Sequence, residues 1–262
     1  MKVNFSSEQI ERYSRHILLQ DIGVEGQRKI SKGKVLVIGA GGLGSPILFY
    51  LAAAGVETLG IIDGEVVELS NLHRQIIHFT SDIGKRKIQS AKEKIIQINP
   101  NVNVVTYDDF FNVNNAFNLI KDYDFIVDGT DNFSTKFLIN DACILASKPF
   151  SHGGVLRFDG QTFTHITGTM CYRCVFCNPP SVNIPTCLQT GVLGSVAGIL
   201  GAIQATEVLK FFTGTEELLT NCLLTFNVKS MNFRKININK NRECPICGNY
   251  PVITNLTEAK CI

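Results

Sequence analysis

The first strong apolar signal is Val35 to Ile38, a short run that breaks at once into GAGGLG. SPILFYLAAAG follows and predicts a helix closed by Gly55. A second apolar run, TLGIID, predicts a strand ending on Asp63. Strand, glycine turn, helix and strand make one βαβ unit. Ile83 to Ile98 repeats apolar residues at helical spacing and stops before Pro100. Val102 to Thr106 and Phe125 to Asp128 predict further strands, and Phe133 to Ala146 another helix. This alternation predicts an α/β fold with a doubly wound, Rossmann-like, mostly parallel sheet.

The pattern changes after Lys148. LRFDGQTFTHIT predicts a hairpin with Asp159-Gly160 as its turn. CYRCVFC follows, then a proline-containing loop to Cys187. Gly191 to Phe212 predicts a long buried helix with Gly and Ala contacts. LLTFNVKSMNFRKININ predicts two final strands, so the sheet gains a C-terminal antiparallel extension. With no internal repeat and no low-complexity linker, residues 1–262 read as one domain.

Composition narrows the classes. At 45% hydrophobic, 262 residues supply one sizeable core. A formal charge of +2 argues against a nucleic-acid binder held by phosphate contacts. The first twenty residues, MKVNFSSEQIERYSRHILLQ, are polar and mixed in charge, unlike a signal peptide. The most apolar stretch, Val192 to Ala205, is too short to span a bilayer. These features predict a soluble cytoplasmic protein without a membrane partner. Nine cysteines exclude a complete intrachain disulfide set. In a reducing compartment, clustered cysteines point to metal binding or catalysis.

The glycine turn is the first candidate site. Gly39, Gly41 and Gly44 fit G-x-G-x-x-G between strand and helix, with Gly42 inside the turn. Glycines let backbone approach a phosphate, and a helix N-terminus favours negative charge. The same turn also suits simple helix–strand packing. Asp63, at the end of the next strand, is placed to accept hydrogen bonds from ribose hydroxyls. Asn71, Arg74 and Gln75 follow in a loop beside the expected cleft, and Lys87 opens the next helix, after Asp82 and Gly84. Cations at that place suit a triphosphate, although each alone also fits a solvated surface. Asp131 in GTDN follows a strand end. It suits either Mg²⁺ bridging phosphates or the cap of the following helix.

Cys171-x2-Cys174 and Cys244-x2-Cys247 are two pairs with the spacing of a tetrahedral zinc–thiolate site. They are far apart in the chain, so the fold must bring them together. With four thiolates no coordination position stays free, which predicts a structural metal. Cys174-x2-Cys177 is a competing pair.

RYSRHILL, VLVIGAGGLGSP, YLAAAGV, ELSNLHRQ, DGTDN, CYRC, GVLG and CPICG occur in the order found in the MoeB/ThiF/HesA family. The chain resembles that family from about Tyr13 to Gly248. The resemblance implies adenylation, with MgATP, of the C-terminal Gly-Gly carboxylate of a ubiquitin-like sulfur-carrier protein such as MoaD or ThiS. Pyrophosphate is released, and a sulfurtransferase or cysteine desulfurase then supplies sulfur for molybdopterin or thiamine synthesis. It also implies a nucleotide part over about 13–150 and a zinc- and carrier-binding part over about 151–248. In its terms Gly39, Gly41, Gly42, Gly44 and Asp63 hold the nucleotide, and Asn71, Arg74, Gln75 and Lys87 serve the phosphates. Asp131 is the Mg²⁺-associated acid, and Cys171, Cys174, Cys244 and Cys247 hold Zn²⁺. The family is homodimeric, and the residue matching Arg15 reaches the neighbouring subunit's ATP site. Cys187 matches a position that some members use for a persulfide or acyl link. Gly64, following Asp63, departs from the second acid found in many relatives.

Other readings compete. An NAD-dependent oxidoreductase shares the glycine turn and Asp63 but leaves Arg74, Lys87 and Asp131 without a purpose. A relative that activates a carboxylate on modified tRNA fits poorly with the paired cysteines and the near-neutral charge. A non-catalytic dimeric scaffold would bind a carrier without exchanging pyrophosphate.

Overall fold

The computed structural model describes residues 5–179, 190–215 and 217–257. Three short helices come first, α1 (Ser7–Arg12), α2 (Ser14–Ile17) and α3 (Gly23–Ile30). Then β1 (Lys34–Ile38), α4 (Gly44–Ala54) and β2 (Thr58–Ile62) form the expected βαβ unit. They are followed by α5 (Lys87–Ile98), β3 (Asn103–Tyr107), α6 (Ala116–Ile120), β4 (Phe125–Asp128) and α7 (Phe133–Leu145). The second part holds β5 (Phe150–Leu156), β6 (Asp159–His165), α8 (Tyr172–Val175) and α9 (Gly194–Thr213). The last strands are β7 (Cys222–Asn227) and β8 (Asn232–Asn237).

All eight strands belong to one sheet, ordered β3-β2-β1-β4-β5-β6-β7-β8. Pairing is parallel from β3 to β5 and antiparallel from β5 to β8. Ile62 of β2 and Asp128 of β4 flank Ile38 of β1 in register. The chain therefore leaves three neighbouring strands at one level, placing Asp63 and Gly129 beside Gly39. Strand order reverses between β1 and β4, where ligands sit in open α/β sheets.

The sheet separates two cores. On one face, Ile47, Leu48 and Leu51 of α4 and Leu200 of α9 pack with Val35 and Val37. On the other, Phe137 and Ile139 of α7 pack with Leu36, Ile126 and Phe163. α9 is 20 residues long and apolar enough to cross a membrane by length and composition, longer than the Val192–Ala205 stretch suggests. Half of it is buried inside the fold, and Gln204 and Glu207 are buried along it, so it is a core helix here. Gly201 lets it lie against α4: a Cβ there would sit 2.4 Å from Cγ of Pro46.

Three expected boundaries are corrected. The hairpin turns at Arg157-Phe158, because Leu156 pairs with Asp159 and Val155 with Gly160. Arg157 takes the left-handed conformation itself, at φ 54°. Gly160 instead sits under the ring of Phe226, where a Cβ would lie 2.3 Å from Cζ. The helical spacing read from Ile83 becomes helix only at Lys87, the residue expected to open it, since Gly84 has φ 86° and a 3₁₀ turn occupies Thr80–Asp82. The helix expected from Gly191 starts at Gly194, and Gly191 has φ 77°.

Candidate active site

One cavity of about 1200 Å³ begins at the carboxyl ends of β1, β2 and β4 and continues over β5 to β8. Gly39, Gly41 and Gly42 line its floor, and Thr225, Asn227 and Arg234 line its far end. Gly39 has φ 95°, and a Cβ on it would lie 2.9 Å from the carbonyl oxygen of Gly129. Gly44 opens α4, and a Cβ there would lie 2.0 Å from the carbonyl oxygen of Gly39. The turn therefore needs glycine at both points, and it presents α4's N-terminus to the cavity.

Asp63 lies on the same floor. Its Oδ2 accepts the Ala40 N–H at 2.9 Å and its Oδ1 the Glu65 N–H at 2.8 Å. Burial raises its carboxyl above the ordinary value, against the pull of the Lys87 charge. Lys87 is the first residue of α5, is 2% exposed, and is ion-paired with Glu65. The Arg74 guanidinium donates to the Ser70 carbonyl at 3.0 Å, and its stem packs over Gly42. Gln75 is buried beside Gly41, and its Oε1 has no hydrogen-bond partner among the described residues. An orphaned buried acceptor on a cavity wall calls for a donor from a ligand or a water.

The other expected residues fall as follows. Asp131 is an exposed residue on the cavity wall. It does not cap α7: the cap is Asn132, whose side chain accepts the Thr135 N–H at 2.9 Å. Asn71 does not line the cavity, and its Oδ1 accepts the Glu68 N–H at 3.0 Å, fixing the loop that carries Arg74. Arg15 is exposed on α2, outside the cavity wall. Leu18 and Leu19 beside it are 70% and 52% exposed. Cys187 lies outside the described residues.

Two buried polar networks escaped the sequence reading. Behind the glycine turn, His78 Nε2 lies 2.9 Å from the Ala40 carbonyl and Nδ1 lies 2.8 Å from Ser90 Oγ. Ser90 Oγ also lies 3.0 Å from Asp82 Oδ2, and Asp82 pairs with Lys94. Burial pushes the imidazole of His78 down to about 4, so it is neutral and gives its one N–H to Ala40. Under the middle of the cavity, Lys136 Nζ donates to Asp128 Oδ2 at 2.9 Å and to the Thr130 carbonyl at 2.7 Å. His152 Nδ1 lies 3.0 Å from the same Asp128 oxygen. The available signal was a charge inside apolar segments: Lys136 in FSTKFLIND and His152 in PFSHGG.

The paired cysteines meet. Sγ atoms of Cys171, Cys174, Cys244 and Cys247 all lie within 4.8 Å of one another. Separations of 3.9, 3.6 and 3.4 Å link Cys171 to Cys174, Cys171 to Cys244 and Cys174 to Cys247. Tetrahedral zinc with Zn–S bonds of about 2.3 Å needs sulfurs about 3.8 Å apart, so the cluster has the right size. The CYRC turn is held to α7 by Arg173, which makes two 2.7 Å bonds to Asp141, and by Tyr172 N–H donating to Asn140 at 2.8 Å. Cys177 is exposed and outside the cluster, which decides between the competing pairs.

A doubly wound sheet, a glycine turn with flanking cations and a four-thiol cluster clipping the antiparallel end define a nucleotide-binding α/β protein of the ubiquitin-activating-enzyme-like class. The chain belongs to the ThiF family, whose model matches residues 13–246. It is 45% identical over 251 residues to the maize "Adenylyltransferase and sulfurtransferase MOCS3-1", covering 95% of this chain and 54% of that protein. It thus spans about half the length of that relative. It is 44% identical to the Mycobacterium tuberculosis "Probable adenylyltransferase/sulfurtransferase MoeZ", covering 92% of this chain and 63% of that one. With the Thermus thermophilus "Sulfur carrier protein adenylyltransferase" it shares 39% identity across 98% of this chain and 97% of that protein. Among solved structures, Escherichia coli MccB shares the fold, with a TM-score of 0.81 at 23% identity over 94% of this chain and 76% of MccB.

Proposed function

We propose that the protein adenylates the C-terminal Gly-Gly carboxylate of a ubiquitin-like sulfur-carrier protein. The observation that carries this reading is the shape of the cavity. It joins a phosphate-type site at Gly39, Lys87 and Asp131 to a groove running out over Thr225, Asn227 and Arg234. A nucleotide needs the first, and an extended chain end can approach it along the second. The names of the relatives, including a sulfur carrier protein adenylyltransferase of matching length, support the same reading.

A carboxylate is a poor acyl donor because oxide is a poor leaving group. One carboxylate oxygen attacks the α-phosphorus of ATP, the bond to the bridging oxygen of the β-phosphate breaks, and pyrophosphate leaves with that electron pair. The product is an acyl–AMP anhydride. No general base is required, since a terminal carboxylate is already ionised at neutral pH. The obstacle is repulsion between two anions. Lys87 and Arg74 offset it and hold the phosphates in line, while α4's N-terminus adds its partial positive charge. Asp63 takes the ribose. Asp131 would hold Mg²⁺, which would screen phosphate charge; its carboxylate fits because it lines the cavity and is free of the helix cap. The four clustered thiols would hold zinc, which would tie the Cys244–Cys247 turn to the CYRC turn and take no part in the chemistry.

In this proposal the active unit is a homodimer, with Arg15 completing the neighbouring ATP site. The exposed Leu18 and Leu19 beside it support an interface there. Cys187 acts after activation, taking the acyl group or presenting sulfur from a sulfurtransferase or desulfurase. The buried free thiols of Cys143 and Cys222 fit a reducing, cytoplasmic setting.

The test is ATP–pyrophosphate exchange dependent on added carrier, with MoaD-like and ThiS-like proteins in parallel and NAD binding as the contrast. Exchange with a Gly-Gly carrier is expected. Tight NAD binding with no exchange overturns the reading.

A further inference from the structure

His152 stands on β5, one residue past the pairing of Ser151 with Val127, at the carboxyl end of the parallel sheet. It is 1% exposed and yet lines the cavity. Its ring is fixed between Tyr172, at 4.7 Å between centroids, and Phe163, at 5.2 Å. Nδ1 lies 3.0 Å from Asp128 Oδ2. Burial would raise the Asp128 carboxyl, but Lys136 and the His152 hydrogen bond hold it below its ordinary range, so it is ionised. An ionised carboxylate only accepts, so Nδ1 carries the proton. Burial, reinforced by the Lys136 charge, disfavours a second proton on the ring. Nε2 is therefore a lone-pair acceptor, and it has no partner among the described residues. It points past Gly154, where a Cβ would lie 3.6 Å from it.

A buried acceptor is satisfied by a donor. ATP phosphates carry none at neutral pH. The nucleotide's donors are its ribose hydroxyls and its adenine amino group, and both belong to the nucleoside, whose ribose is expected at Asp63; that residue follows β2, with β1 and β4 between it and β5. Three strand spacings put that ribose site about 14 Å away from His152. A chain end that crosses β6 and β5 to reach the phosphates has an N–H at every residue. We propose that His152 is a substrate-binding residue whose Nε2 accepts a hydrogen bond from a backbone N–H in the last residues of the carrier tail. This rests on the function proposed above and adds a residue that reads the tail's main chain next to the reacting carboxylate. Gly154, two residues on from His152 along the same strand, lines the cavity beside it without a side chain in the way.

The experiment pairs His152→Asn with carrier tails carrying an ester in place of one of the last two amides, which deletes a single N–H. Asn keeps a donor toward Asp128 but does not reach the cavity. KM for carrier in pyrophosphate exchange should rise about tenfold, with KM for ATP changed less than about twofold. A melting curve checks that the variant is folded, and His152→Phe, which keeps ring packing, gives the same KM split if Asn proves unstable. One ester tail should show the same loss with unmodified protein and no further loss with the variant. A raised KM for ATP alone assigns the acceptor to the nucleotide and overturns the proposal. So does a variant penalty that adds in full to both ester penalties. Absence of exchange with unmodified protein and unmodified carrier fails the function itself, a result distinct from either.

Discussion

The Lys87 ammonium is ion-paired with the Glu65 carboxylate at the edge of the cavity. The partners are unequal: the Lys87 side chain is 3% exposed and the Glu65 side chain 59%. A buried cation held by a solvated anion can exchange that anion for a stronger one. In the proposed reaction a triphosphate, with more charge than one carboxylate, would displace Glu65 from Lys87.

Two variants separate these roles. Lys87→Ala should lower pyrophosphate exchange by about 100-fold, the order expected when a fixed charge on the transition state is lost. Glu65→Gln removes the competitor. With one partner exposed, the pair should contribute roughly 0.2–1 kcal/mol, so KM for ATP should fall by about 1.4- to fivefold. Full exchange activity in the alanine variant would sink the phosphate role of Lys87.

Asp131 and Asn132 allow a second separation, because the structure gives them different tasks. Asn132 accepts the Thr135 N–H and caps α7, whereas Asp131 faces the cavity. Asn132→Ala should cost about 1 kcal/mol of stability. Asp131→Asn should leave the melting temperature unchanged while raising the Mg²⁺ concentration needed for exchange. Loss of stability without a change in Mg²⁺ dependence would return Asp131 to a structural role.

The frame of this fold was legible because it rests on local signals. Val35–Ile38, the glycine turn and the helix after it are specified by apolar runs and glycine positions, and they stand as expected. What stayed hidden depends on tertiary partners. Asp159-Gly160 has strong turn chemistry, yet Gly160 is spent on the face of Phe226. α1 to α3 are short, and α1 and α2 bury none of their residues, so no periodicity announces them. Lys136 and His152 become meaningful only when β4, α7 and β5 converge on Asp128. Spacing pointed to the pairing of CYRC with CPICG but left Cys177 as a rival, and the fold decides by placing Cys177 outside the cluster.

His78 makes stability depend on pH with a definite sign. Its folded value is about 4 against an ordinary 6.5. Between those values the unfolded chain binds a proton that the folded protein refuses, so stability rises with pH. The contribution is complete above about 6.5 and is lost as pH falls toward 4. Burial lowers His152 and His165 in the same direction, while the raised Asp63 acts oppositely. From pH 7 to pH 5, His78 alone should lower stability by about 2 kcal/mol, or roughly 4–8 °C in Tm. His78→Gln keeps a donor for the Ala40 carbonyl but does not titrate, so its Tm should fall less steeply. An unchanged slope in that variant would remove His78 from the account.

The thiol cluster gives the last prediction. Cys244 and Ile246 form a small core of their own with Cys171, and Leu145 and Ile253 pack against it. That is little apolar area to hold a segment far along the chain from the CYRC turn, so the segment needs a cross-link. Structural zinc would supply one, because a site assembled only by folding returns its binding free energy as stability. Freshly purified protein should carry one zinc per chain. Cys244→Ser should abolish it, whereas Cys177→Ser should retain it, since Cys177 is exposed and outside the cluster. Chelation should release the C-terminal segment first, read as faster amide exchange around Cys244 to Ile253 before any change in β1 or β4. The Asp141–Arg173 pair and the Asn140 bond to Tyr172 remain without metal, so the CYRC turn should keep its protection. Metal analysis that finds no zinc, or chelation that leaves exchange at Cys244 unchanged, would show that the four thiols are packed without an ion and that side-chain contacts alone hold the Cys244 to Ile253 segment.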